Sequence, residues 1–155
     1  MRQSVLVRFV SALLVGLTLT LAACDAEAVP SRPRSEPSGL AGTSWTVFSV
    51  AGRLPVPGSP PTLIFTATGA SGSGGCNGYG GSYRYDPSTG AIAFTEMGMT
   101  AMACLDNPRN VFEGAFFGAL VAANRAAFDS VGRLVLTGPG GAVILTPGIR
   151  PQPTD

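Results

Sequence analysis

Short strand-like segments, each bounded by turn residues, dominate the sequence between residues 44 and 146. They are rich in β-branched and aromatic side chains, and glycine, proline, aspartate or serine flanks each of them. The predicted strands are Ser44–Val50, Thr62–Thr66, Gly81–Tyr85, Ala91–Thr95, Arg133–Thr137 and Ala142–Thr146. The turn sequences at 87–90 and 138–141 indicate antiparallel hairpins. These turn signals between adjacent strands predict an antiparallel β-structure.

One segment has helical periodicity instead. Asn107 can cap a helix, Pro108 suits its first position, and apolar residues then recur on one face. Those apolar residues are Phe112, Phe116, Ala119, Leu120 and Ala123. The fold class is therefore predicted to be mainly β (α+β), a compact antiparallel sheet or partly closed barrel with one packed helix near 108–124.

Two further features of this helix lead to expectations about its packing. Gly114 and Gly118 are expected to let it lie close against the sheet. Arg109 and Glu113 are expected to form an i,i+4 pair on the opposite side.

The N-terminus has the pattern of an export signal. Arg2 and Arg8 precede an apolar run over 9–21, which is too short for a membrane span of about 20 residues. The run ends in Leu21-Ala22-Ala23-Cys24, which resembles a bacterial lipobox. We interpret 1–23 as a lipoprotein signal peptide and Cys24 as the lipidated residue that carries acyl chains such as palmitate. An ordinary cleaved signal with a chance cysteine, or an uncleaved anchor, is the alternative.

Composition then divides the rest of the chain. Residues 24–39 hold three prolines and almost no bulky apolar side chains, which is typical of a tether. In polyproline geometry, 25–39 would span about 45 Å. Residues 40–147 form the predicted folded domain, and 148–155 a flexible tail. The expected location is the bacterial cell envelope, on the extracytoplasmic side of either the cytoplasmic or the outer membrane.

The residue types that are missing exclude much enzyme chemistry. The chain has no histidine, and all ten basic residues are arginine. Serine–histidine and serine–lysine nucleophiles, Schiff bases, P-loops and histidine-ligated zinc are therefore excluded. A net charge of +1 argues against a nucleic-acid binder. We expect no cofactor and no metal.

Cys76 and Cys104 are the two cysteines that remain once Cys24 is assigned to lipid. Export places them in a compartment that permits disulfides. A bond between them is expected to stabilise the domain by roughly 3–4 kcal/mol in the chain-entropy model. Two free structural thiols are the alternative.

The motifs around these cysteines resemble those of a META domain, the domain type of the heat-shock lipoprotein HslJ. The matching elements are Leu40-Ala-Gly-Thr-Ser-Trp45, Leu63-Ile-Phe65, Gly75-Cys76-Asn77 leading to Tyr83, Thr100-Ala-Met102-Ala-Cys104, Glu113 with Phe116 and Leu120, and Leu134-Val-Leu136-Thr with Val143-Ile-Leu145. The resemblance covers about 40–147. It implies a barrel-like antiparallel structure with one helix, a disulfide between the two motif cysteines, and an envelope or stress role without a defined activity.

Several side chains have both a structural and a binding interpretation. Trp45 is expected in the core. Asn77 is expected to satisfy backbone groups of its glycine-rich turn, or else to contact a ligand. Tyr79, Tyr83 and Tyr85 alternate along one strand face, with their hydroxyls expected in water. The methionines Met97, Met99 and Met102 are expected to fill the gap between sheet and helix. The candidate ligand or partner contacts are Asn77, Tyr79, Tyr83 and Met99.

Three functions remain open after this sequence analysis. The leading hypothesis is a non-enzymatic, lipid-anchored envelope protein, monomeric, whose domain is a stress-related or protein-interaction module contacting envelope proteins. The alternative is a small apolar-ligand binder that uses the open end of the barrel-like sheet. An enzyme would need a cleft that holds two close carboxylates.

Overall fold

The computed structural model describes residues 39–102 and 105–148. The predictions about the signal peptide, Cys24 and residues 24–38 lie outside the described residues. So do those about Cys104 and the tail from 149 onward. In the described part of the chain, no helix is long and apolar enough to cross a membrane.

Eight antiparallel strands form a closed barrel, and one helix lies between the fifth and sixth strands. The elements are β1 Thr43–Val50, β2 Thr62–Phe65, β3 Gly69–Ser73, β4 Gly78–Asp86, β5 Ala91–Met99, α1 Asn107–Val121, β6 Arg125–Phe128, β7 Leu134–Thr137 and β8 Val143–Pro147. Each strand pairs with the next along the chain, and β8 pairs with β1. The predicted β-dominated fold with a single helix is confirmed.

Two of these strands have no sequence signal of their own. The sequence of β3 is Gly-Ala-Ser-Gly-Ser and that of β6 is Arg-Ala-Ala-Phe, and neither is rich in β-branched residues. They become strands because neighbours on both sides supply backbone partners. β3 lies between β2 and β4, and β6 lies between β5 and β7. The barrel closes most weakly between β5 and β6, where the register is a single pair, Ala91 with Arg125.

The strand directions give the barrel two distinct ends. Consecutive antiparallel strands place the β1–β2, β3–β4 and β7–β8 connections, together with α1, at one end, which we call the helix end. The other connections and both termini of the described chain, Gly39 and Gly148, lie at the opposite end, which we call the termini end. The chain therefore leaves the domain on the side away from the helix.

The helix covers the mouth of the barrel at the helix end. Phe112, Phe116 and Leu120 are buried, and α1 contacts β1, β5 and β8. At the termini end, the Trp45 ring packs against Phe128 with centroids 5.8 Å apart. Trp45 is buried, as predicted, and its indole N–H donates to Thr43 Oγ1. Apolar side chains thus fill the interior from both ends.

The helix glycines do not have the predicted role. A Cβ atom built at Gly114 or Gly118 would meet nothing within 4 Å, so both positions face open space. The close approach to the helix occurs instead in the β7–β8 turn. There a Cβ at Gly140 would lie 2.7 Å from Ala119 Cα, and one at Gly138 would collide with Ala122. The helix also begins with Asp106 rather than Asn107 as its cap residue, and it ends at Val121 rather than near 124.

This difference predicts opposite outcomes for two conservative substitutions. Gly118→Ala should stabilise the domain by up to about 1 kcal/mol, because glycine is an unfavourable residue at an exposed helix position. Gly140→Ala should destabilise it, because its new methyl group meets the helix backbone. Urea unfolding of both variants measures the two changes. A loss of stability in Gly118→Ala would contradict the open space found beside this residue.

Candidate functional site

A buried acidic side chain joins the helix to the β3–β4 turn. Glu113 lies on α1 and is 3 % exposed. Its Oε1 accepts hydrogen bonds from the backbone N–H groups of Cys76, at 3.1 Å, and Asn77, at 2.6 Å. Its Oε2 accepts one from Asn77 Nδ2 at 2.7 Å. Both carboxyl oxygens are therefore used within the fold, as the burial of such a group requires.

Asn77 extends this network to the connection between β5 and α1. Its Oδ1 accepts hydrogen bonds from Thr100 Oγ1, at 3.0 Å, and from the backbone N–H of Met102, at 2.6 Å. Its Nδ2 also donates to the carbonyl oxygen of Met102 at 3.3 Å. Asn77 is 5 % exposed. Its side-chain amide thus joins the turn to the helix and to the β5–α1 connection. The expectation that it satisfies backbone groups of its own glycine-rich turn is wrong, because its bonds go to Glu113, Thr100 and Met102 instead.

The glycine at position 74 makes room for this arrangement. A Cβ atom at Gly74 would clash with the Glu113 carboxyl group. The glycine-rich sequence before Cys76 therefore lets the turn approach the helix closely enough for its N–H groups to reach the carboxyl oxygens.

The predicted pair between Arg109 and Glu113 is wrong. Glu113 points into the barrel mouth toward the turn amides, while Arg109 Nε lies 3.8 Å from Asp106 Oδ2. A sequence signal for this outcome exists, because Glu113 precedes Phe116 by three residues and Leu120 by seven. Those offsets place the acidic residue on the apolar face of the helix. An acid on such a face needs several donors, and the turn supplies them.

The two predicted disulfide cysteines cannot both be placed. Cys76 Sγ lies 3.9 Å from the carbonyl oxygen of Met102, two residues before Cys104. Cys104 itself lies outside the described residues. The pairing of Cys76 with Cys104 therefore stays a prediction, one that the position of Met102 beside Cys76 favours.

The two tyrosines proposed as contacts lie in different surroundings. Tyr79 is buried, and its ring lies edge-on to Phe116 and Phe117. Burial raises the pKa of the Tyr79 hydroxyl, which donates to the carbonyl oxygen of Thr62. Tyr83 is only partly buried, and its ring packs edge-on against Phe65 at 4.7 Å.

The hydroxyl of Tyr83 also bonds to the backbone, since it donates to the carbonyl oxygen of Thr66 at 3.0 Å. Burial raises its pKa as well. The expectation that Tyr79 and Tyr83 direct their hydroxyls into water is therefore wrong. Inward-facing rings near the barrel wall bring these hydroxyls within reach of carbonyl groups on β2 and in the turn that follows it.

A groove on the barrel surface brings Tyr79 and Met99 together. The two residues are register partners on β4 and β5, and the groove has a volume of about 570 Å³. Its lining residues are Ser71, Gly72, Gly78, Tyr79, Gly80, Gly98, Met99 and Thr100. Four of these eight residues are glycines, so the backbone itself is accessible there. Tyr83 is not among the lining residues, and Asn77 lies buried beside the groove rather than in it.

The methionines divide between two environments. Met97 is partly buried against the core, and a Cβ at Gly81 would lie 2.6 Å from its sulfur, so Met97 packs beside β4. Met99 and Met102 are 39 % and 61 % exposed. The gap-filling prediction is therefore wrong for these two residues. Met99 is the last residue of β5 and pairs with Tyr79, and Met102 lies in the connection that follows.

Two aspartates, the exposed Asp86 and the half-buried Asp129, bond within their own turns. Asp86 accepts hydrogen bonds from Ser88 and Thr89, and these bonds lower its pKa. Asp129 accepts hydrogen bonds from Arg133 and Val131, which lower the pKa of Asp129 in the same way. Within the described ranges, no group of three or more histidine, cysteine, aspartate or glutamate side chains is placed to hold a metal ion.

Comparison with known families identifies the domain. A family model for the META domain matches residues 38–147. The chain belongs to the META domain family. This confirms the resemblance based on the cysteine and strand motifs. The family motif Gly75-Cys76-Asn77 forms the turn that donates to Glu113, which is itself one of the matching residues.

Solved structures share this META fold. A protein from Burkholderia xenovorans, determined by NMR, is 27 % identical, with a TM-score of 0.59, and the match covers 79 % of this chain and 100 % of that one. A second NMR structure is 20 % identical, with a TM-score of 0.57, and 69 % of this chain matches 90 % of that one. A DUF4847 family protein from Bacteroides vulgatus is 16 % identical, with a TM-score of 0.50 and coverage of 73 % and 96 %. No curated protein matches this chain.

The pairing of Asn77 with Glu113 predicts a specific rescue between two substitutions. In Glu113→Gln, the new amide N–H group should face the Asn77 Nδ2 group, so that two donors meet. In Asn77→Asp, the new carboxyl oxygen should face Glu113 Oε2, so that two acceptors meet. Each single change should destabilise the META domain by about 1–3 kcal/mol. The double variant restores one donor and one acceptor, so it should lose less stability than the sum of the two losses.

Urea unfolding of the four proteins measures this coupling. Glu96→Gln, at an exposed acid, is the matched control and should change stability by less than about 0.5 kcal/mol. Additive losses in the double variant would show that the two side chains do not act as a pair.

Proposed function

We propose that this protein is a lipid-anchored envelope protein whose META domain is a non-enzymatic interaction module with a stress-related role. Cys24 carries the lipid, and the domain acts on the extracytoplasmic side of the cytoplasmic or outer membrane. It works as a monomer without cofactor or metal, and it contacts other envelope proteins through its surface.

The observation that carries this proposal is the contrast between a filled interior and an open groove. The helix covers one end of the barrel, aromatic side chains fill the other, and the buried Glu113 and Asn77 bond to each other and to the backbone. A partner therefore has access to the wall of the barrel rather than to its inside. The groove over β3, β4 and β5 is shallow enough for a protein segment and has no charged lining residue.

The same groove supports the second candidate function, a small apolar-ligand binder. Its volume is about 570 Å³, and it is open along the barrel surface, so it would cover one side of an apolar molecule. Met99 would be the main contacting side chain, because it is exposed whereas Tyr79 is buried. The sequence predicts such a ligand at the open end of the barrel. Because α1 covers that end, the candidate ligand site is instead the groove on the barrel wall.

Lipid anchoring predicts a definite mass for the exported protein. The chain should begin at Cys24 and carry acyl groups, because the apolar run and the lipobox-like sequence precede this cysteine. Mass spectrometry of the protein from the membrane fraction measures this. Cys24→Ser should release the protein or block its processing. An unmodified Cys24 in membrane-bound protein would contradict the anchor.

The groove predicts that one added side chain should abolish partner binding. A Cβ at Gly98 meets nothing within 4 Å, so Gly98→Arg should fold and place a long charged side chain over the groove floor. Chemical crosslinking in envelope membranes, followed by mass spectrometry, should then lose the proteins that the parent captures.

Val131→Arg provides the matched control, since this exposed side chain lies in the β6–β7 turn at the termini end, away from the groove. It should retain those crosslinks. Equal crosslinking by both variants would exclude the groove as the interaction surface. A small apolar molecule that is extracted from the parent, and is absent from Gly98→Arg, would favour the ligand binder instead.

A further inference from the structure

Most of the large apolar side chains that the domain exposes lie at the helix end of the barrel. We define the apolar end surface as Leu54, Met102, Leu105, Val111 and Val121. Leu54 belongs to the β1–β2 connection, Met102 and Leu105 to the β5–α1 connection, and the two valines to α1. Their exposed fractions are 67 %, 61 %, 105 %, 50 % and 41 %, in that order.

This surface is almost free of uncompensated charge. The charged side chains of the same connections and of α1 are Arg53, Asp106, Arg109 and Glu113. Glu113 is buried against the β3–β4 turn, and Arg109 lies 3.8 Å from Asp106. The exposed Arg53, next to Leu54, is the remaining cation. An apolar surface with one cation at its margin suits a lipid bilayer, where apolar side chains enter the acyl boundary and arginine meets the phosphate groups.

The length of the tether allows this surface to reach a bilayer. The longest strands have nine residues, so the barrel wall is at most about 30 Å long. The segment from Cys24 to Gly39 joins the barrel at the termini end, the end away from this surface. In polyproline geometry, residues 25–39 span about 45 Å, which exceeds the length of the wall. A domain anchored at Cys24 can therefore turn over and place its helix end on the membrane.

We propose that the apolar end surface docks on the bilayer that holds the lipid anchor. In the docked state, Met102, Leu105 and the exposed valines of α1 contact the acyl boundary. The anchor makes a weak contact sufficient, because it holds the domain near the membrane at high effective concentration. The biological setting rests on the anchoring proposed above, whereas the docking itself can be tested without it.

The test uses an artificial anchor. Residues 25–155 with an N-terminal hexahistidine sequence bind phosphatidylcholine vesicles that contain a nickel-chelating lipid, and the acyl chains are brominated to quench tryptophan. Leu105→Trp places a fluorophore on the apolar end surface, and Val131→Trp places one in the β6–β7 turn at the termini end. Trp45 is buried and gives the background common to both variants.

Docking predicts that brominated acyl chains quench most of the added fluorescence in Leu105→Trp and little of it in Val131→Trp. Adding Val111→Glu to Leu105→Trp should restore the fluorescence, because a carboxylate on the surface opposes entry into lipid. The side chains at these three positions are at least half exposed, so the substitutions should leave the fold intact, which circular dichroism checks.

Three outcomes would overturn the docking proposal. The first is equal quenching of both tryptophan variants, and the second is no quenching of either. The third is doubling of the particle mass in solution, with loss of this doubling in Val111→Glu, which would assign the surface to a second copy of the chain. The mass of exported Cys24 is measured separately. An unlipidated Cys24 would thus contradict the anchor without affecting the docking result.

Discussion

The structure depends on the hydrogen bonds that compensate the burial of Glu113. An acidic side chain that is withdrawn from water loses strong hydration, and the fold must replace it with well-placed donors. Two backbone N–H groups and the Asn77 amide supply them, at 2.6–3.1 Å. Because these donors belong to the β3–β4 turn, the helix that carries Glu113 can only lie across the mouth of the barrel next to that turn. The other atom of the Asn77 side-chain amide, Oδ1, accepts hydrogen bonds from Thr100 and Met102. The Asn77–Glu113 network therefore fixes the positions of the turn, the helix and the β5–α1 connection.

That arrangement determines which parts of the META domain can meet a partner. With α1 across the mouth, Tyr79 packs under Phe116 and Phe117, and its hydroxyl bonds to the wall at Thr62. The interior therefore consists of packed side chains. What remains accessible is the outer wall, where glycines on β3, β4 and β5 expose the backbone, and the connections at the helix end. Glycine, alanine and serine have small side chains or none. This leaves the backbone of the wall accessible, and it also gives β3 a low strand propensity of its own.

The sequence predicted the fold class, the helix and most strands because these depend on local patterns. β-Branched runs between turn residues identified β1, β2, β7 and β8, and the spacing of Phe112, Phe116 and Leu120 identified the helix. The sequence did not predict β3 and β6, because these two segments form strands through pairing with their neighbours rather than through their own composition. It also misassigned Gly114 and Glu113. Amphipathic periodicity says which face is buried, but it does not say which turn will supply hydrogen bonds to a polar residue on that face.

The positions of the termini and of the apolar end surface join these physical constraints to function. An even number of antiparallel strands returns the chain to the end from which it started, so both termini leave at one end of the barrel. The one long connection, which contains α1, must then lie at the other end, together with the segment that Asn77 holds against the wall. Those bonds hold the backbone of Met102 in the β5–α1 connection, and they thereby help to keep its exposed side chain in a fixed position. The buried pair of Asn77 and Glu113 thus supports the accessible side chains of this end, because it fixes the backbone beside them.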